Sequence, residues 1–119
     1  MRVNRVDTVL DRGVWLLHEG ERFTGEVVDT DVEGRVIGLT SYAHGVEHGP
    51  QAEWYPDGTK KSEGVTEKGN AVGEWREWHS NGQLAQYDLL DEHGDPLRTQ
   101  RWDEAGTLVQ DDSYQPLRG

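Results

Sequence analysis

Five histidines, 23 carboxylates and four serines are the side chains here with chemistry to offer. His44 and His48 stand four apart, a spacing that aligns two metal ligands on one face of a helix. Gly45 and Gly49 interrupt that segment, so no helix is expected there. His18, His79 and His93 belong to no ligand motif. The chain has no cysteine and no His-Glu-x-x-His, which leaves zinc without a ligand set. The histidines read as turn or surface residues, and neither metal nor cofactor is expected.

Carboxylates sit side by side at Asp91-Glu92, Asp103-Glu104 and Asp111-Asp112. Adjacency is commonplace in so acidic a chain, and a general acid needs a desolvated cleft to raise its pKa. Ser41, Ser62, Ser80 and Ser113 lie in no Gly-x-Ser-x-Gly setting. The glycine-rich HGVEHG at 44–49 lacks the Lys-Ser/Thr of a phosphate loop. The expectation is a protein that binds and does not catalyse.

Binding turns attention to the aromatic residues, the usual anchors of protein interfaces. What positions them is a repeat. Gly25, Gly49 and Gly73 are spaced by 24, as are Gly34, Gly58, Gly82 and Gly106. Trp54, Trp78 and Trp102 keep the same step, with Thr30 in the first register. Self-similarity at such a period marks a repeat architecture. Each unit reads as a hairpin. In WHSNGQL (78–84) Gly82 suits the left-handed position of a loop with a bulge. That register sets Trp78 opposite Leu84, Trp54 opposite Lys60, Trp102 opposite Leu108 and Thr30 opposite Val36. A second glycine turn falls at HGVEHG, KGNAVG (68–73) and HGDPL (93–97). The stretch RVNRVDTVL is open between strand and helical turn.

The expected fold is therefore all-β: an elongated, twisted antiparallel sheet of 24-residue hairpin repeats, without large helices. One domain is expected over 1–119, with cap strands at 1–24, repeats at 25–48, 49–72, 73–96 and 97–110, and a tail at 111–119. Only 33% of residues are apolar, too few for a large core. Five Trp, four Tyr and a Phe still argue for order. No apolar run is long enough for a leader or a membrane span, which predicts a cytoplasmic protein without an integral membrane segment. Twelve cations against 23 acids give a net charge of -11. Such a surface repels nucleic acid and draws a basic protein; the plainer reading is that acidity keeps the chain soluble.

Side chains alternate along a strand, so Trp75 and Trp78 are expected on opposite faces, with Tyr87 across from Trp75. Trp54, Trp78 and Trp102, with the periodic glycines, are assigned to the repeat itself. Tyr55, Trp75 and His79 are assigned to a partner, with Glu53, Asp57, Glu74, Glu77, Asp103 and Glu104 supplying complementary charge.

These units resemble the variant MORN-repeat family, in particular its YwqK-like antitoxin group. The likeness rests on GVWLLHEGERFTGEV (13–27), GPQAEWYPDG (49–58), GEWREWHSNG (73–82) and the link Tyr42-x-x-Gly45-x-x-x-Gly49. It covers roughly residues 13–110 and fades where Leu97 replaces the unit glycine and Thr30 the aromatic. The resemblance implies a non-catalytic immunity protein that occludes a cognate basic toxin. A generic interaction scaffold and a carbohydrate- or peptide-binding sheet are the alternatives. Oligomeric state is left open.

Overall fold

In a computed structural model, which describes residues 1–115, the chain is a twisted sheet of successive antiparallel hairpins. It opens with β1 (Arg2–Asn4), one 3-10 turn (Arg5–Asp7), β2 (Thr8–Asp11), β3 (Trp15–His18) and β4 (Glu21–Arg22). The hairpins follow: β5 (Gly25–Thr30), β6 (Val36–Ala43), β7 (Val46–Trp54), β8 (Lys60–Glu67), β9 (Asn70–Trp78), β10 (Leu84–Leu90), β11 (Pro96–Trp102) and β12 (Leu108–Ser113). Strands β5 to β12 lie side by side in sequence order, with β1 parallel to β5 at one edge. Strands β2, β3 and β4 form a separate small sheet. The segment read as ambiguous is thus strand, turn and strand. Strand β12 runs on to Ser113, past the point where the repeats were expected to end. Among the described residues no helix is long and apolar enough to cross a membrane.

Two kinds of turn alternate. In the five-residue kind His79 N–H donates to Gln83 O at 2.8 Å and Gly82 N–H to His79 O at 2.9 Å. Gly82 stands at φ 87, the left-handed region that a side chain resists. The same bonds close the turns at 31–35, 55–59 and 103–107. The expected pairings Thr30–Val36, Trp54–Lys60, Trp78–Leu84 and Trp102–Leu108 all form. The two-residue kind, His44-Gly45 and Lys68-Gly69, has positive φ at both residues, as a type I′ turn requires.

The third turn of that series, expected within 93–97, takes the five-residue form at 91–95 instead. Asp91 Oδ1 accepts the His93 and Asp95 N–H groups at 2.9 Å each. A side chain that caps its own turn in this way favours the longer loop.

A bulge follows every five-residue turn. Ile37, Lys61, Ala85 and Val109, spaced by 24, are each an extra residue against the facing strand, and Leu97 is another after the 91–95 turn. The bulge at Ala85 corrects one expectation. Trp75 pairs with Asp88, and Tyr87 pairs with Arg76 on the opposite face. One extra residue exchanges the faces of everything beyond it.

The core is small and lies at one end. Leu16, Phe23 and Val27 are buried together, with Val3 and Tyr42 packed against them. Backbone bonds tie the small sheet on: Leu16 N–H to Gly45 O at 2.9 Å and Gly45 N–H to Phe23 O at 2.8 Å. The radius of gyration is 16.1 Å, against about 13.5 Å for a compact domain of this length.

Candidate binding face

Pairing register defines two faces of the main sheet. On one, which we term the polar face, a row of facing residues crosses eight strands: Asp29, Gly38, Glu53, Ser62, Glu77, Gln86, Arg101 and Gln110. Beside it run Thr40, Gln51, Gly64, Trp75, Asp88, Thr99 and Asp112. The other face carries Val28, Leu39, Ala52, Glu63, Arg76, Tyr87, Gln100 and Asp111. It also carries Trp54, Trp78 and Trp102, the ridge of the repeat.

The residues assigned to a partner separate into three places. Glu53, Trp75 and Glu77 share the polar face. Ser62 Oγ donates to Glu53 Oε1 at 3.1 Å, and Glu77 is exposed between Ser62 and Gln86. Trp75 lies over Gly64, where an added Cβ would fall inside the indole ring. Three residues of β9, Gly73 to Trp75, oppose Gly64 alone on β8, and this wide bulge aims the ring. Its Nε1–H is shared between Val72 O at 3.1 Å and Val65 O at 3.2 Å.

Glu74 lies on the ridge face. It accepts the Tyr87 hydroxyl at 2.6 Å and pairs with Arg76 at 3.3 Å. The Tyr87 hydrogen bond, followed by the Arg76 charge, holds the Glu74 carboxyl below its ordinary range. The same bond raises the Tyr87 phenol. The two directions agree, as they must when a phenol donates to a carboxylate.

Tyr55, Asp57, His79, Asp103 and Glu104 line the rim formed by the five-residue turns, where their polar groups join hairpin to hairpin. Tyr55 donates its hydroxyl to Trp78 O at 2.7 Å. One unit later His79 Nε2 meets Trp102 O at 2.8 Å. A carbonyl only accepts, so His79 carries its proton on Nε2. Asn81 Nδ2 donates to Glu104 O at 2.8 Å. Asp103 Oδ1 takes the Ala105 and Thr107 N–H groups. Asp57 takes that of Thr59, and this backbone bond is the first cause of its lowered pKa. The opposite rim has its own staples, with Gly45 N–H on Phe23 O and Gly69 N–H on Glu47 O, each at 2.8 Å.

A cleft of about 250 Å³ opens on the polar face. Asp29, Thr40, Gln51, Glu53, Ser62 and Trp75 are among its lining residues. Arg5 binds two of its lining residues, Asp29 and Thr40. Its guanidinium meets Asp29 at 3.0 Å, the Tyr42 hydroxyl at 2.9 Å and Thr40 Oγ1 at 3.4 Å. Burial opposes the Arg5 charge, yet the hydrogen bonds to Asp29 and Tyr42 outweigh it and raise its pKa. Sequence reasoning missed Asp29, Gln51, Ser62 and Arg5. Asp29 was accessible, because it keeps the 24-residue step to Glu53 and Glu77. Arg5 was not, since its partners are 24 to 37 residues away. Among the described residues, no group of three or more His, Cys, Asp or Glu is placed to hold a metal ion.

No protein-family profile matches the chain, and no curated protein matches it. Among solved structures the chain aligns to part of a mutant of TarM from S. aureus, in complex with Fondaparinux, alpha-GlcNAc-glycerol and UDP. The alignment spans 89% of this chain and 19% of that one, at 8% identity and a TM-score of 0.43. At that level it informs neither fold nor function.

Proposed function

We propose that this chain is a non-catalytic binding protein of the variant MORN, YwqK-like type, and that it neutralises a basic bacterial toxin in the cytoplasm by occluding it. One observation carries the reading: the polar row that crosses eight strands of an open sheet, with Glu53 and Glu77 exposed in it. These two carboxylates stand two strands apart, roughly 9–10 Å, and no Lys or Arg of the described residues pairs with either. A net charge of -11 extends the same sign over the surface and would speed encounter with a basic partner.

The test is co-expression with a toxin encoded beside it. Protection of the cells and a co-purifying complex are expected. Reversing both charges, Glu53→Lys with Glu77→Lys, should slow association by at least about tenfold, with a shallower salt dependence. A chain that neither protects nor forms a complex would overturn the reading.

A further inference from the structure

We propose that the cleft between Asp29 and Trp75 receives the guanidinium group of an arginine side chain presented by a basic protein. The inference rests on the binding reading above and names the contact through which it operates.

Two glycines make room at the cleft, Gly38 in its lining and Gly64 under Trp75. Gly38 and Gly64 lie on β6 and β8 without positive φ, so their backbones do not demand glycine. What a Cβ would disturb is the close approach of a neighbouring side chain. A Cβ on Gly38 would stand 3.0 Å from Asp29 Oδ2, and one on Gly64 would enter the Trp75 ring. The indole rests on Gly64, and Trp75 lines the cleft. Two hydrogen bonds from Nε1 fix the ring as a plate.

Two donors beside the plate are already engaged. Ser62 Oγ points its proton at Glu53, and Gln51 Nε2 donates to Glu47 Oε2 at 3.2 Å. The cleft offers an aromatic ring and acceptor oxygens, above all the Glu53 carboxylate. A planar cation that stacks and donates in its own plane satisfies both, whereas an ammonium is a point charge that does not stack.

The chain already binds one such group next door. Arg5 sits 5.7 Å from the centre of the Tyr42 ring, donates to its hydroxyl and reaches Asp29 and Thr40. Trp75 and Glu53 repeat that pairing of plate and carboxylate, and among the described residues no cation lies between them. At about 250 Å³ the space is below the 300–1,000 Å³ of small-ligand pockets and suits a side chain.

The experiment is an NMR titration of the full ¹⁵N-labelled chain with two peptides of equal length and charge, one of arginine and glycine, the other of lysine and glycine. The arginine peptide should shift the Trp75 indole N–H and the Gly64 and Ser62 amides saturably. The lysine peptide should bind about fivefold more weakly. Glu53→Gln should cost the arginine peptide about tenfold and bring the two peptides level. Glu92→Gln, in the exposed 91–95 turn, should change either affinity less than about twofold. Trp75→Phe keeps a plate and should retain part of the preference. Glu53→Gln leaves the packing intact, so the proposal stays testable if Trp75 variants unfold. Equal shifts from both peptides along the whole polar row, or no effect of Glu53→Gln, would overturn it. So would shifts of these signals by N-acetylglucosamine but not by the arginine peptide. If the peptide fails while the chain still captures a basic protein, the cleft assignment falls and the binding reading stands. If the peptide binds here and no basic protein is captured, the cleft stands and the binding reading falls.

Discussion

The two ends of this sheet are held by different forces. At the N-terminal end β3, Phe23 and β5 close a core in which Leu16, Phe23 and Val27 lose almost all exposure. From β10 to β12 no apolar side chain is buried, and Leu108 and Val109 are open to solvent. Burial stabilises the first end in proportion to area removed from water. The second is held by cross-strand pairs and by hydrogen bonds from one hairpin to the next. Each such contact contributes only about 0.2–1.5 kcal/mol. The difference teaches where binding can reside. A core-bearing end stands alone, whereas a single-layered sheet keeps both faces for contact and gains stability from whatever covers one of them.

That contrast breaks most visibly in the core. Phe23→Ala should cost about 3–5 kcal/mol, because it opens a cavity under the small sheet. Leu84→Ala, which removes the partner of Trp78, should cost about 1 kcal/mol. Denaturant melts followed by tryptophan fluorescence measure both, and equal losses would deny the asymmetry. Next in size is Gly64→Ala. The new methyl displaces Trp75 and its two hydrogen bonds, at about 1–3 kcal/mol. With Trp75→Ala already present the same change should be nearly silent, since the clash has gone. A double-mutant cycle reads that coupling.

Much of this was written in the sequence. The step of 24 placed four of the five five-residue turns, all but the one at 91–95, and a glycine in the left-handed position fixed the four pairings nearest those turns. Beyond those pairs the register depended on Ile37, Lys61, Ala85 and Val109. These four share a spacing but no side-chain type, so nothing in their identity marks a bulge. That is why Tyr87 changed faces while Trp75 and Trp78 stayed opposed. The site was harder to read, because polar residues were judged by type and not by where their hydrogen bonds go. Tyr55 and His79 resemble Trp75 as aromatic anchors, yet both have a carbonyl one unit away. Gly64, the residue that makes room for Trp75, lies outside the glycine period and was silent.

The rim ladder gives a smaller effect that sharpens the contrast. His79→Ala and Tyr55→Phe each remove one bond between hairpins and should cost about 1 kcal/mol. The loss should speed hydrogen exchange in β10 to β12 before β5 and β6, because the far end has no core to fall back on. Nitrogen shifts of the His79 ring should show the Nε2–H form in the wild type. The opposite form would remove the bond to Trp102 O.

The smallest effect belongs to Glu74 and Tyr87, and its sign follows from their opposite shifts. Glu74 is lowered in the folded chain. Its share of stability is therefore present above the ordinary carboxylate range and is lost as pH falls through the folded value. Tyr87 is raised, so its share is present below about 10 and is lost as pH rises through the folded value. Glu74→Gln should flatten the acid limb of a stability–pH profile, and Tyr87→Phe the alkaline limb. In the double variant the two losses should not add, because one hydrogen bond underlies both. Independent losses would mean that Arg76, which also meets Glu74, sets the acid limb by itself.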